Sequence, residues 1–452
     1  MGKRSLVALA MIAAILIAFP STPISKTMDS VYAAQPNSGY ILVGGQNGTW
    51  FRSGQSPRLS QVFLSNQSST PLTPLPSNGV VWSGSWNGSQ WLISGWGSTA
   101  GANGSNPYIY LYDGHSQIIA STLHLWREEA SWHGGDIFAA SYNGSEWLLS
   151  GLGSDWLPSG WGSASTGKQR NHLALGLYDG NKFIDFSGDI PNQWDGVLFA
   201  NAWNGHYWLV GGGWQGNEGV LYRFDGANFT DLSDQLDSAM WKSGRQFDSV
   251  QTIGWNGDYW LLGGVGFLAK YDGLNFTDLT PDLNAALAHR YALNYRACCN
   301  AVNAVAWDGI SWQIGGGAPL ATVQPINAWA VSYDGVRFTD LTSIIPSYVG
   351  NAAQGSSILT ITSSNGSWFF GGYANGRGFL FSKTDSAVAD LSGMLEDATV
   401  VNWIGGWPQF SAQTSLNSFS SISNYVIVSA AIVVIATALT IRFRRHDSRR
   451  RR

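Results

Sequence analysis

The chain has 452 residues, only 12% of them charged, with 55 glycines and 23 tryptophans. Few charges, many turn residues and many aromatics point to an all-β protein and not a helical one. Of the 25 Lys+Arg, three lie before Ala33 and seven after Ile441; of the 29 Asp+Glu, only Asp29 and Asp447 lie in those ends. The middle therefore carries 15 against 27, a net charge of −12, which does not suit nucleic acid.

In chain order, Lys3 and Arg4 precede an uncharged stretch from Leu6 to Phe19, the layout of a secretory signal. Val31-Tyr32-Ala33 offers small residues for cleavage, so residues 1–33 are expected to be a signal peptide; an uncleaved N-terminal anchor is the alternative.

Residues 34–407 are built from a repeat. Trp86-Asn87-Gly88 precedes "QWLISG", Tyr142-Asn143-Gly144 precedes "EWLLSG", and Trp203-Asn204-Gly205 precedes "YWLVGG". Trp255-Asn256-Gly257, Trp307-Asp308-Gly309 and Asn365-Gly366 stand before "YWLLGG", "SWQIGG" and "SWFFGG", and "YILVGG" at Tyr40 lacks the first half. Downstream come "LYDG" at Leu111 and Leu177, "RFDG" at Arg223, "KYDG" at Lys270 and "SYDG" at Ser332. "FIDF" or "FTDL" then follows from Phe183, Phe229, Phe276 and Phe338. The aligned Trp91, Trp147, Trp208, Trp260, Trp312 and Trp368 are 52 to 61 residues apart, a period that predicts a propeller or an array.

Asn-Gly and Asp-Gly between apolar runs predict type I′ hairpins, so each unit reads as four antiparallel strands, a to d. Copies stacked radially bury both faces of every sheet, and the seven copies predict an all-β, seven-bladed β-propeller of four-stranded antiparallel blades. The incomplete first copy and the spare strand "TVVNWIGG" from Thr399 should pair and close the fold.

The apolar run ending in Gly-Gly, the Tyr-Asp-Gly and the following aromatic and Leu resemble the kelch repeat of galactose-oxidase-type propellers, over about residues 38–407. Two positions depart from it: glycine follows Tyr-Asp where kelch has proline, and phenylalanine replaces the repeat's tryptophan. The resemblance implies binding or scaffolding, and less often catalysis.

The a–b and c–d turns are tight and should share one face; the b–c and d–a connections are expected to be long and to share the other. That loop face is the expected binding face. Its candidate residues are Trp126, Trp132, Trp156, Trp161, Trp214, Tyr291 and Tyr295, aromatics beside Asn, Ser and Gly that suit carbohydrate or peptide contact, with blade-to-blade packing as the alternative. Eight Asn-x-Ser/Thr sites, Asn47, Asn66, Asn87, Asn103, Asn143, Asn228, Asn275 and Asn365, are expected glycan acceptors, most of them on the tight-turn face. Asp231, Asp278 and Asp340 repeat on the outer strand, where charge is expected to block edge-to-edge pairing; a metal ring is the other reading.

Cys298 and Cys299 are adjacent and cannot staple distant parts of the chain. A vicinal disulfide, two free thiols and pairing with another chain stay open. Quinone-dependent propeller dehydrogenases resemble this in having adjacent cysteines over the cofactor, but their repeat tryptophan motif is absent here. The six histidines of the outer part, His115, His124, His133, His172, His206 and His289, show no metal-ligand spacing, so neither metal nor cofactor is expected; a copper or zinc site assembled from the loop-face His124, His133, His172 and His289 is the alternative.

Residues 408–424 read as a Ser/Asn-rich stalk. Residues 425–441 are almost wholly apolar and read as one C-terminal transmembrane helix, with 442–452 a basic cytoplasmic tail by the positive-inside bias. The expectation is a single-pass cell-membrane protein with its bulk outside the cell, a non-enzymatic module for glycans, peptides or neighbouring surface proteins. An extracellular oxidoreductase or lyase with a central loop-face site is the alternative.

Overall fold

The computed structural model describes residues 40–405 except 48–55, 74, 77, 99–105, 115–117, 122–134, 156–169, 192–195, 214–218, 243–248, 289–299, 319–325, 354 and 396–397. The chain divides into two compact units, Met1–Trp407 and Pro408–Arg452, and all described residues belong to the first. The signal-peptide, stalk, transmembrane and tail expectations lie outside them.

The first unit is almost entirely β. It opens with β1 (Tyr40–Asn47), β2 (Ser56–Phe63) and β3 (Ser68–Pro71). Four-strand runs then follow: β4 (Asn78–Trp86), β5 (Trp91–Ser98), β6 (Asn106–Tyr112) and β7 (Ile118–Ser121); then β8 (Gly135–Tyr142), β9 (Trp147–Asp155), β10 (Arg170–Tyr178) and β11 (Phe183–Asp185). Next come β12 (Val197–Trp203), β13 (Trp208–Gly213), β14 (Val220–Phe224) and β15 (Phe229–Asp231), with helix α1 (Ser233–Lys242) after them. β16 (Val250–Trp255), β17 (Trp260–Gly264), β18 (Phe267–Tyr271) and β19 (Phe276–Asp278) lead into α2 (Thr280–Ala286). β20 (Ala301–Trp307), β21 (Trp312–Gly317), β22 (Trp329–Tyr333) and β23 (Phe338–Asp340) precede the single turn α3 (Ser347–Gly350). β24 (Ser356–Ser364), β25 (Ser367–Ala374), β26 (Arg377–Lys383), β27 (Val388–Asp390) and a last strand, β28 (Val400–Gly405), complete the order.

Each run is a four-stranded antiparallel sheet in chain order, the repeating blade of a β-propeller. The sheets of β20–β23 and β24–β27 are joined by one ladder pair, Gly317 with Ser357. β28 pairs antiparallel with β1, Leu42 opposite Gly405 and Gln46 opposite Val400, so the end of the unit supplies the strand that its beginning lacks. This is the pairing expected of "TVVNWIGG". The first strands of successive sheets lie against one another in order: β4 on β8, then β12, β16, β20, β24 and β28, and β28 lies on β4.

The core sits between sheets. Leu209 and Leu221 of one sheet pack with Val250, Trp260 and Tyr271 of the next. Leu261 and Leu268 pack with Val302, Trp312 and Trp329. Ile41 and Val62 meet Phe369, Leu380 and Val401. Tryptophans open β5, β9, β13, β17 and β21, and each hairpin brings the aromatic that ends the preceding strand across from them: Trp203 lies 4.3 Å from Trp208, Tyr142 5.0 Å from Trp147 and Trp307 5.3 Å from Trp312. Such pairs add about 0.5–1.5 kcal/mol beyond their area.

The turn expectation needs correction. Trp86 pairs with Trp91, so residues 87–90 form a four-residue loop instead of a two-residue type I′ turn. Asn87 Oδ1 accepts the backbone N–H of Ser89 (2.9 Å) and Gln90 (2.7 Å), and only Gly88 takes positive φ, at 100°. Asp225 and Asp272 act alike in the turns between the third and fourth strands, and these backbone amides hold both carboxyls below the usual carboxylate range. The asparagine or aspartate needs no positive φ, because its own oxygen has capped the loop. Asn365-Gly366 is a two-residue turn, with φ of 52° and 72°. Two of the b–c connections expected to be long are short as well, since β17 and β18 are joined by Val265 and Gly266, and β25 and β26 by Asn375 and Gly376.

The repeated aspartate of the outer strand has a local task. Asp231 Oδ1 accepts the Ser233 N–H at 2.9 Å, and Ser233 Oγ accepts the Leu221 N–H of the third strand at 3.0 Å. Asp278 with Thr280 and Leu268 repeats the arrangement, as does Asp340 with Thr342 and Ala330. The motif Asp-x-Ser/Thr thus staples the end of each of these three outer strands to its neighbour, a task beyond the edge-blocking charge or metal ring read from the sequence.

Candidate functional site

One backbone irregularity recurs in every first strand. The register slips between Val81 and Ser83, Ile137 and Ala139, Leu198 and Ala200, Val250 and Thr252, Val302 and Ala304, and Ile358 and Thr360. In the β28–β1 pair it slips between Val401 and Trp403. Each slip is a β-bulge that leaves one residue without a ladder partner and turns its side chain away from the regular alternation. Those residues are Trp82, Phe138, Phe199, Gln251, Asn303, Leu359 and Asn402, all half-buried.

The Gly-Gly of the repeat is the other half of this device. A β-carbon on Gly212 would fall on the Val197 carbonyl, and one on Gly151 on the Asp136 carbonyl. The same closeness relates Gly95 to Val80, Gly264 to Ser249, Gly316 to Ala301, Gly372 to Ser357 and Gly45 to Val400. In each case the carbonyl belongs to the residue two before the bulged one. Only glycine on the second strand lets the bulged first strand come this near.

The bulged residues form an inner row. Trp82 lies 4.9 Å from Phe138, and Phe138 lies 5.4 Å from Phe199, so three rings from three successive sheets make one aromatic arc. The rest of the row is amide and aliphatic. Gln251 Nε2 donates to Ser249 Oγ (2.7 Å), Asn303 Nδ2 to Ser357 Oγ (2.8 Å) and Asn402 Nδ2 to the Val81 carbonyl (3.3 Å). Asn402 Oδ1 is buried and accepts no hydrogen bond among the described residues. Further polar contacts lock the strands at this level: Asn201 Nδ2 donates to Ser150 Oγ at 2.7 Å, Val305 N–H to Thr252 Oγ1 at 3.3 Å, and Ile404 N–H to Thr360 Oγ1 at 3.2 Å. No member of the row carries a charge. Beside it, Asp136 stands two residues before Phe138; it keeps a strip of exposed surface, but protein crowds its carboxyl and burial pushes it up to about 7.

The sequence pointed elsewhere. Trp126, Trp132, Trp156, Trp161, Trp214, Tyr291, Tyr295, Cys298 and Cys299 lie outside the described residues, as do Asn103, His115, His124, His133 and His289. Of the expected glycan acceptors, Asn66, Asn228, Asn275 and Asn365 are exposed, and Asn47, Asn87 and Asn143 are half-buried. His172 and His206 belong to different sheets. Among the described residues, no three His, Cys, Asp or Glu side chains gather where they could hold one metal ion, and no helix is long and apolar enough to cross a membrane. The inner row was missed because a bulge breaks the two-residue alternation. The signal was nevertheless present: Trp82, Phe138, Phe199, Gln251 and Asn303 each stand four residues before the aromatic that ends their strand.

No protein-family model matches the chain, and no curated protein does. Solved structures of similar shape exist. A candidate 6-phosphogluconolactonase from Bacteroides uniformis is 8% identical with a TM-score of 0.46, covering 81% of this chain and 99% of the other. The β-propeller domain of the trilobed protease from Pyrococcus furiosus is 10% identical with a TM-score of 0.42, covering 79% and 93%. YCF48 bound to a D1 peptide is 10% identical with a TM-score of 0.40, covering 77% and 91%. At this distance none of their activities is carried over to the chain.

Proposed function

We propose that the chain is a non-enzymatic binding module: a seven-bladed, kelch-like propeller held at the cell membrane by residues 425–441, with its bulk outside the cell and some of its sequons glycosylated. The seven-blade reading is supported by the unbroken order of first strands and by β28 completing the sheet of β1. The outside location is supported by the signal-like start and the apolar segment before the arginine cluster.

The observation that carries the binding reading is the inner row. Rings and neutral amides at repeated bulges offer stacking surface and hydrogen-bond groups, and none of them takes up or releases a proton near neutral pH. Such a set holds a ligand without transforming it. The test places a photo-reactive phenylalanine at Phe199 of the full-length chain, irradiated in its own cells. A discrete adduct at Phe199 is expected, with none from the same group at the exposed Val388; adducts at Val388 alone, or at neither position, count against the reading. A C-terminal tag should resist external protease that digests the propeller.

Catalysis by an oxidoreductase or lyase is the second reading, and Asp136 favours it, because a carboxyl pushed up to about 7 suits proton transfer at neutral pH. A row-bound compound converted by the wild type and left intact by Asp136→Asn would establish it.

A further inference from the structure

We infer that the inner row takes a neutral saccharide; the inference rests on the binding reading above and names the ligand class. The row is two-sided in chemistry. The order of first strands sets Trp82, Phe138 and Phe199 side by side, and continues through Gln251, Asn303, Leu359 and Asn402. One arc is thus a wall of rings, and the other carries three primary amides and one aliphatic side chain.

A sugar ring matches both arcs. Its axial C–H bonds make an apolar face that lies on an aromatic ring, and its hydroxyls sit around the edge. Each hydroxyl both donates and accepts, which is the capacity of an asparagine or glutamine amide. Three of those amides already donate to Ser249, Ser357 and the Val81 carbonyl, which fixes their orientation. The amide nitrogens are thus occupied, and the amide oxygens of Gln251 and Asn303 are the acceptors offered to ligand hydroxyls. A charged ligand would find no counter-charge in the row, and a partly buried, unpaired charge is disfavoured. Rigid backbone holds all this in place, since every member sits on a glycine-backed bulge in a sheet and not on a loop.

The test uses the full-length protein in lipid nanodiscs, free of sugar-based detergent. Neutral gluco-, manno- and galacto-configured tetrasaccharides are titrated calorimetrically, with an oligo-uronic acid as the charged probe. At least one neutral probe should bind, and the uronic acid at least about tenfold more weakly. Phe138→Leu and Gln251→Leu should each weaken the neutral probe by about tenfold or more while the unfolding midpoint stays unchanged. Two variants from opposite arcs guard against one of them misfolding. If no neutral saccharide binds, or if one binds and both folded variants bind it as well as wild type, the inference is overturned. An adduct at Phe199 in cells that proves to be a peptide would overturn the saccharide assignment and leave the binding reading standing.

Discussion

The turn edge and the inner row are built from the same repeat, yet they repeat different things. At the turns, residue identity recurs: Asn87, Asn143, Asn204, Asn256 and Asp308 each accept two backbone amides through Oδ1. There the backbone needs a short side chain with an oxygen, and these five copies supply it as Asn or Asp. At the bulges only the geometry recurs. The same register slip carries Trp, Phe, Phe, Gln, Asn, Leu and Asn. A position whose backbone is fixed and whose side chain varies from sheet to sheet is one that the fold does not dictate. Such positions are where a ligand's demands can be written.

The largest way to break this comparison is to remove its last member. A chain ended after Ala398 loses β28, with the buried Val401, Trp403 and Ile404, and leaves β1 with an open edge. Compared with a chain ended after Trp407, it should lose cooperative unfolding altogether, a penalty above about 5 kcal/mol. Equal melting of the two would show that the first sheet does not depend on β28.

Asp136 sharpens the row side through pH. Its carboxyl titrates near 7 in the folded protein against an ordinary 3.8, so the folded state holds the proton more tightly than the unfolded chain does. The contribution of this one group is therefore full below about pH 4 and is lost as pH rises toward 7, by roughly 2–4 kcal/mol. Asp136→Asn should remove that decline, matching wild type at pH 4 and exceeding it at pH 8. Parallel urea titrations at the two pH values decide, and an equal difference at both would refute the assignment.

On the staple side, Asp231→Ala takes away the acceptor of the Ser233 N–H and should cost about 1 kcal/mol. Gly205→Ala asks about the turn alone. Its φ is 96° and a β-carbon there would meet open space, so strain is the whole cost, again about 1 kcal/mol. Thermal melting of both variants should show small, similar losses.

Much of the scaffold was legible in the chain. Trp208 and Trp260 marked the second strands, the Asp-Gly pairs marked the outer turns, and Thr399 onward announced the strand that β1 needed. The turn type was misjudged because Asn-Gly has two solutions. A side-chain oxygen that caps a four-residue loop competes with left-handed asparagine, and the second prevails at Asn365 and Asn375. The staple escaped notice because Asp231 and Ser233 act through backbone amides that periodicity does not reveal. The inner row escaped because Trp82 and Phe138 read as ordinary core residues until the slip beside them is seen. The loop aromatics chosen from composition, Trp126 among them, lie outside the described residues.

The sheet of β12 and β13 offers the most direct test of the central claim, because Phe199 and Gly212 are the two halves of one bulge. The measurement is the urea unfolding free energy of the full-length chain with Gly212→Ala and, separately, with Phe199→Asn. Fixed geometry with a freely chosen side chain predicts a loss of roughly 2–4 kcal/mol for the glycine variant and about 1 kcal/mol or less for the phenylalanine variant. A phenylalanine variant as damaged as the glycine one would make Phe199 a core residue and contradict the account.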